Sequence, residues 1–93
     1  LQGRDLDEMR RRLDEGHRAY VATLDGLPAA WGWAATRSAR IGELDASFAI
    51  PAGDRYLWNF VTLAAHRGRG VYPRLLDAIV RAESAEADRF WVA

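Results

Sequence analysis

The residues best able to do chemistry sit in one short stretch, AAHRGRGVYPRLLDAIV, positions 64 to 80. Arg67, Gly68, Arg69 and Gly70 fall between a run that alternates like a strand and a run with helical spacing. In strand–helix–strand units, ligands tend to bind at the loop that leaves the carboxyl end of the strand. The helix that follows offers unpaired N–H groups and a partial positive charge at its start. Glycines at 68 and 70 let main chain approach an anion closely and permit positive φ angles. With two guanidiniums in the same place, a phosphate or pyrophosphate is the natural ligand. Four readings compete: a plain turn, a basic nucleic-acid patch, a nucleotide phosphate loop, and a cradle for another polyphosphate. A P-loop requires lysine followed by serine or threonine, and the chain contains no lysine. A dinucleotide fingerprint requires glycine or alanine three positions after Gly70, where Pro73 stands.

Composition narrows the classes further. Ninety-three residues, 49% hydrophobic, allow one domain near the low end of what builds its own core. Thirteen basic and thirteen acidic residues cancel, where a nucleic-acid binder normally shows a basic excess. The absence of lysine removes Schiff-base chemistry, and the absence of cysteine removes disulfides, thiolate catalysis and cysteine metal sites. His17 and His66 lack the spacing of a metal pair, so no metal is expected. His66 reads as a solvated loop side chain. No apolar run reaches membrane-spanning length and no signal peptide is evident, so a soluble, cytoplasmic domain without membrane contact is expected.

The elements that must position the loop follow from periodicity. Leu6, Met9 and Leu13 share one face of a first helix, with Asp5 as its cap, Glu8 as capping-box partner and Gly16 as its stop. Asp7 with Arg11, and Glu8 with Arg12, are favourable four-residue pairs. The stretch HRAYVATL alternates as a strand and breaks at Asp25-Gly26, a hairpin signal. In AAWGWAAT, Trp31 and Trp33 share one sheet face and Gly32 takes the other. GELDASFAI reads as a further strand, with Leu44, Ala46, Phe48 and Ile50 on one side. In RYLWNFVTL, strict alternation puts Tyr56, Trp58, Phe60 and Thr62 opposite Leu57, Asn59, Val61 and Leu63, a central strand covered on both sides. Val71, Leu75, Leu76, Ile79 and Val80 form a helical stripe with Pro73 in the first turn, and FWVA closes as a strand. The fold class expected is therefore α+β: an antiparallel meander leading into one right-handed βαβ unit.

In that context, FVTLAAHRGRGVYPRLLDAI resembles the acetyl-coenzyme A binding motif of the GNAT family of N-acetyltransferases, Gln/Arg-x-x-Gly-x-Gly/Ala, here Arg67 to Tyr72. The resemblance implies that main-chain N–H groups across Gly68, Arg69, Gly70, Val71 and Tyr72 face the coenzyme A pyrophosphate, with Pro73 contributing only position. It implies that Arg67 and Arg69 add charge there. Phe60, Val61 and Thr62 would pair edge-wise with the pantetheine arm, an amide polarising the acetyl carbonyl. The function implied is acetyl transfer from acetyl-coenzyme A directly to an amine acceptor. The alternative is a non-catalytic coenzyme A binding or regulatory module, or a half domain completed by homodimerisation. Tyr72 departs from the motif, so either the backbone there is displaced or the ring packs over the ligand. Against the family pattern, residues 1–93 form a single, incomplete domain that lacks the first strand and the C-terminal helix and strands. The tyrosine that reprotonates the leaving thiolate often lies in that C-terminal part. Glu43, Asp45 and Asp54 are the carboxylates near the central strands; none has a spacing that makes it the base, and no catalytic residue is assigned. Trp31 and Trp33 read as core first and as an acceptor wall second.

Overall fold

The computed structural model describes residues 3–41 and 46–93. The chain runs α1 (Gly3–Asp14), β1 (His17–Leu24), β2 (Leu27–Ala35), β3 (Ser38–Ile41), β4 (Ala46–Ala49), β5 (Asp54–Thr62), α2 (Val71–Glu83) and β6 (Arg89–Val92). Strands β1, β2, β5 and β6 form one sheet in that order, antiparallel except for the final parallel β5–β6 pair. The expected meander followed by a βαβ unit is what forms. Asp25 and Gly26 both take positive φ, 54° and 81°, the requirement of the two-residue hairpin their sequence signals.

Side-chain size sorts the two faces of this sheet. On one face Ala30, Gly32 and Ala34 of β2 present almost no bulk, so α2 settles close and packs Val71, Leu75 and Ile79 onto Ala30, Ala34 and Leu57. The opposite face carries the large rings: Trp33 is buried, Trp31 is half-buried, and Tyr56 and Trp58 pack with Ala35, Ala39 and Ile50. Small residues under the helix and tryptophans beyond it follow from the period-two alternation of AWGWA.

Three expectations are revised. GELDASFAI does not contribute a main-sheet strand. Ala46–Ala49 pairs only with Ser38–Ile41 in a separate two-stranded sheet, and all four of its residues are exposed. The place beside β2 is taken by the longer, more apolar β5, on whose Tyr56 the Phe48 ring packs; Leu44 lies outside the described residues. The first helix begins upstream of Asp5, whose side chain is also outside the described residues. Glu8, expected as a capping-box partner, accepts from Arg12, as its four-residue spacing predicts, and from Arg11. Its apolar stripe is incompletely covered: Leu6, Met9 and Leu13 remain 41%, 37% and 53% exposed.

The third revision concerns β5. Val61 pairs with Trp31 but Trp58 pairs with Trp33, so two β5 residues, Asn59 and Phe60, oppose the single Gly32. Asn59 sits at φ 55°, a left-handed conformation that asparagine tolerates better than other residues except glycine, and the extra residue is a β-bulge. The bulge shifts the side-chain phase, so Phe60 leaves the Trp58 face and joins Leu57 under α2. There its ring covers Gly32 so closely that an added Cβ would lie within the ring's envelope. Its outer edge meets Tyr72 edge-to-face, with centroids 5.0 Å apart.

At its far end α2 is held by charge. Glu83 continues the Val71–Leu75–Ile79 stripe at a further step of four, and is fully buried. Arg55 Nε donates to it at 2.6 Å and Arg18 at 2.9 Å, and the Tyr20 hydroxyl also donates. Burial alone raises the Glu83 carboxyl pKa, but the hydrogen bonds from Tyr20, Arg55 and Arg18 outweigh it and leave the value below the ordinary 4.5. Burial and the Glu83 carboxylate together push Tyr20 up to about 12.

Two outcomes test this packing. Glu83→Gln leaves the buried Arg55 with only the more distant, exposed Glu86 as counter-charge and is expected to cost on the order of 3 kcal/mol in urea unfolding near neutrality. Because the folded pKa is depressed, the charge contribution is present above 4.5 and fades as pH falls through the folded value, so wild type and variant should converge in acid. Gly32→Ala should displace the Phe60 ring and cost about 1–3 kcal/mol by overpacking, visible as a lowered thermal midpoint and altered near-ultraviolet dichroism.

Candidate functional site

The loop between β5 and α2 has the backbone expected of an anion cradle. Gly68 and Gly70 have φ of 77° and 76°, and Gly70 is the residue at which α2 begins. A Cβ at either would meet nothing within 4 Å, so it is conformation, and not crowding, that selects glycine here. Left-handed residues alternating along a loop turn successive N–H groups toward a common concavity. No side chain caps α2, and Pro73 lies in its first turn without a donor to leave unsatisfied. A concavity of about 450 Å³ opens at this point, bounded by Thr62, the 66–68 loop, Gly70 and the Val71–Pro73 turn.

Of the residues expected to hold a ligand, Thr62, Arg67, Gly68, Gly70, Val71, Tyr72 and Pro73 line the concavity, and His66 joins them. Phe60, Val61 and Arg69 do not line it. Arg67 Nε donates to the Thr62 carbonyl at 3.0 Å, tying the loop back to the strand end. His66 is half-buried rather than solvated, and its Nδ1 is buried without a hydrogen-bond partner among the described residues. The Tyr72 ring packs edge-to-face on Phe60 while still bordering the concavity.

The edge of β5 has a matching feature. Its ladder with β6 runs from Asp54–Arg89 to Leu57–Val92, and Ala93 N donates to the Leu57 carbonyl. Beyond Leu57 that edge carries no strand partner among the described residues. Leu63 N donates to Ala29 O at 2.9 Å, so by alternation Thr62 points its own amide and carbonyl the other way, toward the free edge. Val61 pairs with Trp31 on the β2 side.

On the opposite face lies a groove of about 520 Å³ between α1 and the sheet. The Arg12 guanidinium stacks 4.5 Å from the Trp58 ring centre and 5.1 Å from that of Trp33. It donates to Glu8 at 3.2 Å. With the Asn59 amide oriented oxygen-first, it also donates there at 2.6 and 3.2 Å. Arg11 hydrogen-bonds Glu8 as well, and is the main reason that the Glu8 carboxyl pKa is lowered. Burial lowers the His17 pKa, and His17 Nδ1 accepts from Trp58 Nε1 at 3.1 Å. Asp54 accepts from Trp91 Nε1 at 3.0 Å at the start of β5, a link that pins β6; Glu43 and Asp45 lie outside the described residues. Reading the sequence alone missed Asn59 and Arg12. A lone asparagine inside an apolar strand was the available signal for the first; for the second, spacing gave the pair with Glu8 but not the ring partners, which lie on distant strands.

Among the described residues no group of histidines, cysteines and carboxylates is placed to hold a metal ion, and no helix is long and apolar enough to cross a membrane. No protein-family profile and no curated protein matches the chain. Solved structures do. The aminoglycoside N-acetyltransferase AAC(6')-Iy, bound to a coenzyme A bisubstrate analogue, superposes with a TM-score of 0.70 at 19% identity, over 100% of this chain and 61% of that one. A ribosomal-protein-alanine N-acetyltransferase from Brucella melitensis gives 0.68 at 13% identity, over 98% of this chain and 61% of that one. A GNAT family acetyltransferase from Staphylococcus aureus gives 0.64 at 12% identity, over 100% of this chain and 65% of that one. This chain thus spans between 61% and 65% of the length of these proteins. The antiparallel strands with the final parallel β5–β6 pair and the two helices match these structures, and the chain has the α+β fold of the GNAT acetyltransferases.

Proposed function

We propose that the chain binds acetyl-coenzyme A at the 67–73 loop and takes part in direct transfer of its acetyl group to an amine. The observation that carries this reading is the pairing of two left-handed glycines with an uncapped helix start, at the mouth of a concavity, on this fold. Main-chain N–H groups from Gly68 to Tyr72 would receive the pyrophosphate, and the helix dipole favours the negative charge. Arg67 has its Nε committed to Thr62, and its terminal amino groups are the part of the side chain left to meet a phosphate. Arg69 is exposed beside the cradle and contributes general field.

The free edge of β5 would receive the pantetheine arm as a strand would, with Thr62 supplying an outward amide and Phe60 and Val61 framing the approach. In the transfer, the acceptor nitrogen bonds to the thioester carbonyl carbon, the carbon–sulfur bond breaks, and the proton lost by nitrogen ends on the thiolate. An amide aimed at the developing oxyanion stabilises the tetrahedral stage. A non-catalytic coenzyme A binding module, or a half domain completed by a second copy, is the alternative.

Gly70→Asp tests the loop. Aspartate is strained at φ 76°, though less than most residues, and would meet nothing within 4 Å, so the variant should still fold, at a cost of about 1 kcal/mol. Its carboxylate would nonetheless stand in the cradle. Calorimetric titration should show coenzyme A affinity falling about ten-fold or more, since a charge placed against a phosphate costs at least ~1.4 kcal/mol. Equal binding by both proteins would overturn the loop assignment. Thiol release with amines present separates an enzyme from a binding module.

A further inference from the structure

We propose that the acceptor is a primary amine carried on an apolar, aromatic-sized body, and that it lies in the groove between α1 and the tryptophan face of the sheet. This rests on the acetyltransferase reading above and names its substrate class. The groove is on the opposite face from α2, and it reaches β5 at Asn59. That is beyond Leu57, where β6 stops pairing, so the groove meets β5 in the stretch whose free edge the pantetheine is proposed to approach. Gly32 and Asn59, the two sides of the bulge, both border it. A ligand in the groove would therefore border the bulge from one face while the pantetheine lies along the adjoining strand edge.

The groove's chemistry selects the body. Its walls are the Trp31 and Trp33 rings with Met9, Val21 and Pro28. Trp31 and Val21 stand partly or wholly exposed on the sheet, apolar surface that an aromatic ring would cover. The charges present are already engaged. Arg12 is stacked on two indoles and hydrogen-bonded to Glu8 and Asn59. Among the described residues Glu8 is the only carboxylate bordering the groove, and it takes hydrogen bonds from two guanidiniums. A polycation such as a polyamine or aminoglycoside needs several uncommitted carboxylates, and this groove offers none among the described residues.

The same surroundings help to make the nucleophile. Apolar walls disfavour an ammonium, while the charges of Glu8, Arg11, Arg12 and Glu15 beside them balance. Desolvation therefore lowers the pKa of an amine lodged there, so it loses its proton to water before attack. The reacting pair is then R–NH2 and the thioester. Nitrogen bonds to the carbonyl carbon, sulfur departs with the bonding electrons, and the sulfur takes up the proton that nitrogen gives up. The products are the N-acetyl amine and the free thiol.

The test uses the full chain with acetyl-coenzyme A and two probe classes, phenethylamine against spermine and neamine, followed by thiol release. Phenethylamine is expected to exceed either polycation by about ten-fold or more in kcat/KM. Trp31→Ala should raise the phenethylamine KM by about ten-fold while the coenzyme A Kd, measured by calorimetry, stays unchanged. Should loss of an indole unfold the chain, Val21→Arg alters the same wall at a residue already 55% exposed and should act alike. Faster turnover of spermine or neamine, or unchanged KM in both variants, overturns the proposal, as does coenzyme A binding with no turnover of either class. Phenethylamine binding that Trp31→Ala removes, in a chain that does not bind coenzyme A, supports the groove and overturns the acetyltransferase reading instead.

Discussion

A single extra residue in β5 organises the functional half of this molecule. Because Asn59 and Phe60 together face Gly32, the strand changes side-chain phase midway. Before the bulge, Tyr56 and Trp58 lie on the face away from α2; after it, Phe60 lies beneath α2. That switch gives Tyr72 a ring to pack on and fixes the lateral position of the helix start that carries Gly70. On the other face it leaves Asn59 at the end of the groove, within reach of Arg12. The bulge itself depends on two residue types. Asparagine accepts the left-handed φ, and glycine opposite leaves room for the displaced ring.

The far end of α2 is fixed by a different kind of force. Glu83 brings together Arg18 and Tyr20 of β1 and Arg55 of β5, strands separated in the sheet by β2. A buried carboxylate bonded to one buried and one half-exposed arginine gains little net stability over an apolar packing, but tolerates few alternative arrangements. Apolar contact would let the helix slide along a row of alanines; the charged contact holds it in register. With one end set by Glu83 and the other by the Phe60–Tyr72 pair, the N–H groups at the start of α2 keep a defined position relative to the strand edge. The helix α1 is attached differently again, through a guanidinium laid on two indoles, and that leaves much of its leucine and methionine stripe open.

Much of this was legible before any coordinates. Asp25-Gly26 specified its hairpin, and the Trp-Gly-Trp alternation specified which face would be bulky. The stripe through Val71, Leu75 and Ile79 specified the buried side of α2. Each of these signals is local, carried by residues within one turn or one strand. Glu83 was half legible: its step of four from Ile79 puts it on the apolar stripe, but nothing in the chain order names Arg18, Tyr20 and Arg55 as its partners. GELDASFAI failed as a strand of the main sheet because alternation indicates extended structure and does not say which neighbour an extended segment will pair with.

Sequence by itself therefore determined the elements, their order, and a glycine-punctuated helix start suited to an anion, because backbone conformation and the helix dipole are properties of adjacent residues. Tertiary structure alone decided the phase shift in β5, the meeting of Tyr72 with Phe60, and the groove in which the charges of Arg12 and Glu8 are already spent. These depend on register between strands and on burial. Both are set by contacts across tens of residues of chain, and no local spacing encodes them.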